Sequence, residues 1–197
     1  MTDVHRAHRI HRFSREALPV TPWKNGGGTT REIASWPPGA GLDAFHWRVS
    51  IATIAASGPF SVFPGVDRTI MLLDGEGVRL HAADGGIDHR LDRPHEPFAF
   101  SGDVALDCSM LGGASSDFNV MSRRASCRAD VRVLHTAHAL PGATAGLLMS
   151  LQGTWQAEHE TLAAGEGLWW ADEPRAWALA PVGGAGTLVA VRWFARG

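Results

Sequence analysis

Lysine occurs once in the 197 residues, as Lys24, against a background of arginine. An ammonium on a flexible stem therefore stands alone in a chain that otherwise uses planar guanidinium groups. Cysteine is nearly as scarce, with Cys108 and Cys127 only. Without a sign of secretion, two free thiols are the expectation rather than a disulfide framework. No apolar run approaches the ~20 residues of a helical membrane span. The first residues, with Arg6, Arg9, Arg12 and Arg15 among polar neighbours, lack the apolar core of a signal peptide, which predicts a cytoplasmic protein. Charge is sparse and balanced: 19% charged residues, a formal net charge of −2 and a pI near 6.5. That excludes a global basic field for nucleic acid or an anionic membrane surface. What the chain has instead is 45% hydrophobic residues, 23 glycines and 11 prolines. This composition supplies a sizeable core and many turns between short strands, and it disfavours a helical bundle.

Along the chain the dominant period is two. In Thr29–Ala34, Thr30, Glu32 and Ala34 share one face, and Thr29, Arg31 and Ile33 the other. In His46–Ile54, Trp47, Val49 and Ile51 alternate with Arg48, Ser50 and Ala52. An arginine on the small, polar side of such a strand makes sense where that side lines a wet cavity. Pro64-Gly65 carries the residues of a type II turn, Asp74-Gly75 those of a hairpin, and Asp84-Gly85-Gly86 those of a further turn. Strands are also expected near 57–68, 69–73, 78–82, 97–100, 104–111, 117–124, 131–135, 146–152, 155–159, 168–171, 177–179 and 187–194, with a turn at Gly153. Short strands at close spacing, with no persuasive long helix, predict an all-β barrel or jelly roll. Leu72-Leu73-Asp74-Gly75 rhymes with Met149–Gly153, and Phe98-Ala99-Phe100 with Leu168-Trp169-Trp170, which suggests two β-barrel halves in tandem. The expected division is a leader and edge strand over 1–20, a first barrel over 21–125 and a second β half over 126–197. Val4, Ala7, Ile10 and Phe13 would also suit a helix, and a basic nucleic-acid arm is disfavoured by Asp3 and Glu16.

Pro22–Ala34, Trp47–Ala52, Gly58–Arg68 and Asp117–Arg124 occur in an order that resembles the HutD/Ves family. The resemblance covers roughly residues 20–125, and beyond that the match is only of general character. It implies an all-β, cupin-like bicupin fold in a bacterial cytoplasmic protein. It further implies an association with histidine utilisation, through binding of a small acid such as formylglutamate that limits or tunes pathway flux. Through the Ves branch, the resemblance also implies a stress- or cold-related role.

The metal-ligand spacing of most cupin enzymes, His-x-His followed by Glu, has no counterpart here. Phe63–Arg68 holds no histidine where those ligands would sit, and the remaining histidines are scattered. His135 and His138 would point to opposite sides of a strand. No bound metal and no cofactor is therefore expected. There is no Gly-x-Ser-x-Gly elbow, neither cysteine neighbours a histidine, and Lys24 precedes the glycines rather than following them as in a phosphate loop.

The positive pattern is a polar pocket. Lys24, Arg48 and Arg68 are cations on or beside predicted strands, suited to a carboxylate. Asn25, Thr29, Thr30, Ser50 and Ser61 offer hydrogen bonds to an amide or formyl group. Glu32 would accept a ligand N–H or pair with a cation, while Trp23, Phe63 and Met121 would form apolar walls and Asn119 would reach the cavity. Without a ligand the same charges would form internal pairs, Arg68 with Asp117 and Arg48 with Glu32. Gly26–Gly28 is either a close-packed loop or a backbone wall of the pocket. Three functions follow: a small-carboxylate binding protein that regulates histidine catabolism; an isomerase or lyase with Glu32 as base and Lys24 as acid; or a stress-related scaffold using a tryptophan-rich face. The tryptophans of the second half (Trp155, Trp169, Trp170, Trp177 and Trp193) are expected mainly in core and interface, the latter in a possible homodimer.

Overall fold

Side chains alternate in direction along each strand, so parity decides which layer a residue enters, and the central strands are buried on both faces. The computed structural model describes residues 10–196, which contain seventeen strands and no helix. In order these are β1 (His11–Ser14), β2 (Thr21–Pro22), β3 (Gly28–Trp36), β4 (Trp47–Ile54), β5 (Gly58–Phe60) and β6 (Val66–Asp74). There follow β7 (Val78–His81), β8 (Asp88–Leu91), β9 (Phe98–Ser101), β10 (Leu106–Met110) and β11 (Ser115–Arg123). The remainder are β12 (Cys127–Leu134), β13 (His138–Ala143), β14 (Ala145–Ala157), β15 (Glu160–Leu162), β16 (Glu166–Trp170) and β17 (Arg175–Ala195).

They form three antiparallel sheets. A six-stranded sheet runs β2-β3-β4-β11-β6-β9, and a four-stranded sheet runs β5-β10-β7-β8. A seven-stranded sheet runs β1-β16-β14-β17-β12, with β13 added to β17 and β15 to β14. The six-stranded sheet is the middle layer. One of its faces (Trp47, Val49, Ile51, Met71, Phe118, Val120) packs on Leu147, Met149, Val189, Val191 and Trp193 of the seven-stranded sheet. Its other face is covered at one end by the four-stranded sheet, where Ile54, Ile70 and Leu72 meet Val78, Leu80, Leu91 and Leu106. The seven-stranded sheet wraps around a core of its own, made of Leu148, Trp155, Leu168, Trp170, Trp177 and Leu188 among others. β1 pairs with β16, so the chain starts its described course in the sheet it also ends in.

Two turn signals have a different outcome from the one expected. Asp74-Gly75 does not close a hairpin, because β6 and β7 lie in different sheets; the glycine (φ 98°) turns the chain from one layer to the next. Gly153 (φ 71°) is no chain reversal either. It lies within the continuous β14, at an irregularity where the pairing with β17 shifts register. The shift exchanges the faces. Leu148 and Leu188 point into the wrapped core before it, and Trp155 and Trp177 do so after it, although the parity has changed. That is why two expected strand pairs are two long strands. β2, β8, β13 and β15 are not among the expected strands.

Cys108 and Cys127 are both free and buried. Trp155, Trp170, Trp177 and Trp193 are interior, and the half-buried Trp169 stacks on His11 with ring centroids 4.0 Å apart. These tryptophans form core, not an exposed face. Val4 and Ala7 lie outside the described residues. Among the described residues, no helix is long and apolar enough to cross a membrane.

Candidate functional site

The central strands β4, β11 and β6 carry polar residues on the face that the four-stranded sheet covers only in part. Pairing sets Ser50 opposite Asn119 and Asn119 opposite Ile70, and Met121 stands between Arg48 and Arg68. Beyond the end of the four-stranded sheet this face is open and forms the floor of a cavity of about 430 Å³. The walls come from the Trp23–Asn25 loop, from Pro59 and Phe60 of β5 with Ser61 and Phe63 after it, and from Leu42. The volume is that of a small-molecule site.

Arg68 is the deepest cation. It is buried to 7% exposure, and its guanidinium lies 4.9–5.4 Å from the ring centroids of Phe60, Phe63 and Phe100. It donates to Asn119 Oδ1 at 2.9 Å and to the Ser61 carbonyl at 3.3 Å, while its buried Nε has no partner. No carboxylate among the described residues pairs with it, so the anticipated Arg68–Asp117 pair is not formed. Burial, and secondarily the charge of Arg48, lowers its pKa to about 10. The group therefore remains cationic at neutral pH, buried and without a carboxylate partner among the described residues.

Arg48 is different. Its Nε donates to Glu32 Oε2 at 2.6 Å, and its Nη1 reaches Ser50 Oγ at 3.4 Å and Met121 Sδ at 3.9 Å. The anticipated Arg48–Glu32 pair is thus present. Glu32 lies outside the cavity lining, with its other oxygen accepting from Ser35 at 3.2 Å. Lys24 is exposed at the mouth and pairs with no carboxylate among the described residues.

The glycine loop holds this mouth in shape. Trp23 donates Nε1 to Thr30 Oγ1 at 2.8 Å, and Asn25 Oδ1 accepts from the Gly27 amide at 3.0 Å. A Cβ on Gly28 would stand 2.2 Å from the Thr53 carbonyl and 3.1 Å from the Trp23 ring, so only glycine allows this approach.

Of the side chains singled out from sequence, the structure gathers Trp23, Lys24, Asn25, Arg48 and Ser50 around the cavity, and likewise Ser61, Phe63, Arg68, Asn119 and Met121. Thr30 joins them. Thr29 does not; it pairs with Pro22 and Thr53 on the opposite parity. Leu42, Ala52, Pro59 and Phe60 also line the cavity. Ala52 shares the parity of Arg48 and Ser50 and was findable on that ground, whereas Leu42, in an irregular loop, left no periodic signal.

Asp117 lies on the same face of β11 as Asn119, one step further beneath the four-stranded sheet. It is wholly buried, neither oxygen has a partner, and burial raises its pKa to about 7. No group of three or more His, Cys, Asp or Glu among the described residues is placed to hold a metal ion.

Fold and site together define an all-β, cupin-like protein with a donor-lined cationic cavity in its middle layer. Residues 15–189 match the family HutD, and the chain belongs to that family. Protein Ves of Citrobacter koseri is 43% identical over 161 residues, spanning 81% of this chain and 82% of that protein. HutD from Pseudomonas fluorescens SBW25, solved in a formate condition, superposes with a TM-score of 0.85 at 30% identity, over 96% of this chain and all of that one. Oxalate decarboxylase from Lactobacillus farciminis shares the fold alone, with a TM-score of 0.64 at 8% identity over 91% of this chain and 85% of that one.

Proposed function

We propose that the protein is a metal-free receptor for a small carboxylate and that occupancy of its cavity regulates or limits histidine catabolism. One observation carries the binding reading: Arg68 is buried, cationic and without a carboxylate beside a cavity of about 430 Å³. A buried charge needs a counter-charge, and the open side of this one is the cavity. Arg48 supplies further N–H donors, and Lys24 closes the mouth with a mobile charge. The link to histidine utilisation rests on the family name.

The test is a thermal-shift and calorimetric screen of histidine-pathway acids, with Arg48→Ala and Arg68→Met as controls. Acid at a hundred times its Kd should stabilise the wild type by about 2.7 kcal/mol. Arg68→Met places an unbranched apolar chain among Phe60, Phe63 and Phe100. It should abolish the ligand shift while leaving the unliganded Tm equal or higher. A variant that loses stability yet keeps its ligand shift would make Arg68 a structural residue and end this reading.

A further inference from the structure

We infer that the cavity selects acids whose remaining polar groups are hydrogen-bond acceptors, and that it excludes those carrying a free ammonium. This rests on the reading of the cavity as a carboxylate site and adds a rule for which carboxylates enter.

The rule comes from following each polar side chain of the lining. Asn119 has its amide oxygen turned to Arg68 at 2.9 Å, which leaves its NH2 as the free end. Asn25 likewise spends its oxygen on the Gly27 amide at 3.0 Å. Thr30 Oγ1 accepts from Trp23, and Ser50 Oγ accepts from Arg48, so each hydroxyl retains its proton to give. Even the Met121 sulfur faces a guanidinium N–H at 3.9 Å. Lys24 and Arg48 contribute donors only. Ser61, exposed at the rim, is the one lining hydroxyl among the described residues with no donor already on it. Two carboxylates nearby are both outside the lining: Glu32 is held by Arg48 and Ser35, and Asp117 is wholly buried beneath the four-stranded sheet.

A carboxylate or carbonyl meets a donor at each polar side chain of such a lining. An ammonium meets three cations and oxygens that already face positive hydrogens. Like charges brought together at a site cost several kcal/mol, and a polar group that loses its water without gaining a partner adds to this. The α-amino acid therefore binds worse than its deaminated counterpart of the same length.

Three matched pairs test this by calorimetry at pH 7.5: succinate with aspartate, glutarate with glutamate, and imidazole propionate with histidine. The amine-free member of the best-binding pair should be favoured on the order of 100-fold. Lys24→Glu, which places an acceptor and a negative charge at the mouth, should narrow that ratio. Equal affinity within a pair, or preference for the amino acid, overturns the exclusion and leaves the carboxylate reading standing. Binding by no member of any pair removes the carboxylate reading, and the exclusion with it.

Discussion

Arg68 and Asp117 are buried on the same face of the middle sheet, and burial leads them to opposite states. Burial lowers the guanidinium only to about 10, so Arg68 keeps its charge at neutral pH. Asp117 is raised to about 7 by burial alone, so it can shed its charge by taking up a proton. The folded chain therefore binds the Asp117 proton below about pH 7, and the unfolded chain only below its ordinary value of 3.8. Between these limits the native state holds more protons, so stability falls as pH rises through the window and levels off above it. Asp117→Asn, a neutral isostere, removes this dependence. Urea unfolding should show the variant more stable than wild type by roughly 2–4 kcal/mol at pH 8, with the difference vanishing near pH 4. A variant equal to wild type at both pH values would show that Asp117 is ionised at no cost in the folded protein.

The glycine loop and the long strands show what a sequence reveals of an element and what it hides. Gly26–Gly28 is recognisable as a tight loop, but its three glycines are not equivalent. Gly28 is wedged against the Thr53 carbonyl and Trp23, Gly26 has φ 73° in open space, and Gly27 would meet only the Asn25 side chain at 3.4 Å. Gly28→Ala should cost about 1–3 kcal/mol through the forced shift and weaken acid binding, because it displaces Trp23. Gly26→Ala should cost about 1–2 kcal/mol for its left-handed backbone, and Gly27→Ala within about 0.5 kcal/mol. Urea midpoints at constant m value, with the Kd of the best acid, separate these; unchanged affinity in Gly28→Ala would show that the loop does not shape the mouth. The period-two placing of Arg48, Ser50 and Asn119 made most of the cavity floor legible, since strand parity fixes a face. Parity does not reveal how far along that face a covering sheet extends, so Asp117 read as a partner for Arg68. Nor does it reveal a shift inside a strand. Gly153 carries the same local signal in a turn and in the register shift of β14, and only pairing with β17 distinguishes the two.

At the scale of the whole molecule, the six- and seven-stranded sheets share a core between them, beside the one that the seven-stranded sheet wraps around. Trp47 stacks on Trp193 with ring centroids 4.3 Å apart, and Trp193 donates Nε1 to Ser122 Oγ at 3.1 Å, so β4, β11 and β17 meet at a single indole. Val49, Ile51, Phe118 and Val120 bury the rest of the sheet face against Leu147, Met149, Val189 and Val191. Separating the layers would expose this apolar face to water at about 25 cal/mol per Å². The cavity is on the reverse side of the same strands, so its floor rests on the packing behind it. Trp193→Ala, far from any ligand, should therefore lower stability by about 3–5 kcal/mol and leave one unfolding transition, with circular dichroism and the loss of acid binding coincident in urea. If the sheets were independent, the same substitution would split the curve. One transition would move to lower urea, and acid binding would persist unchanged to the wild-type midpoint.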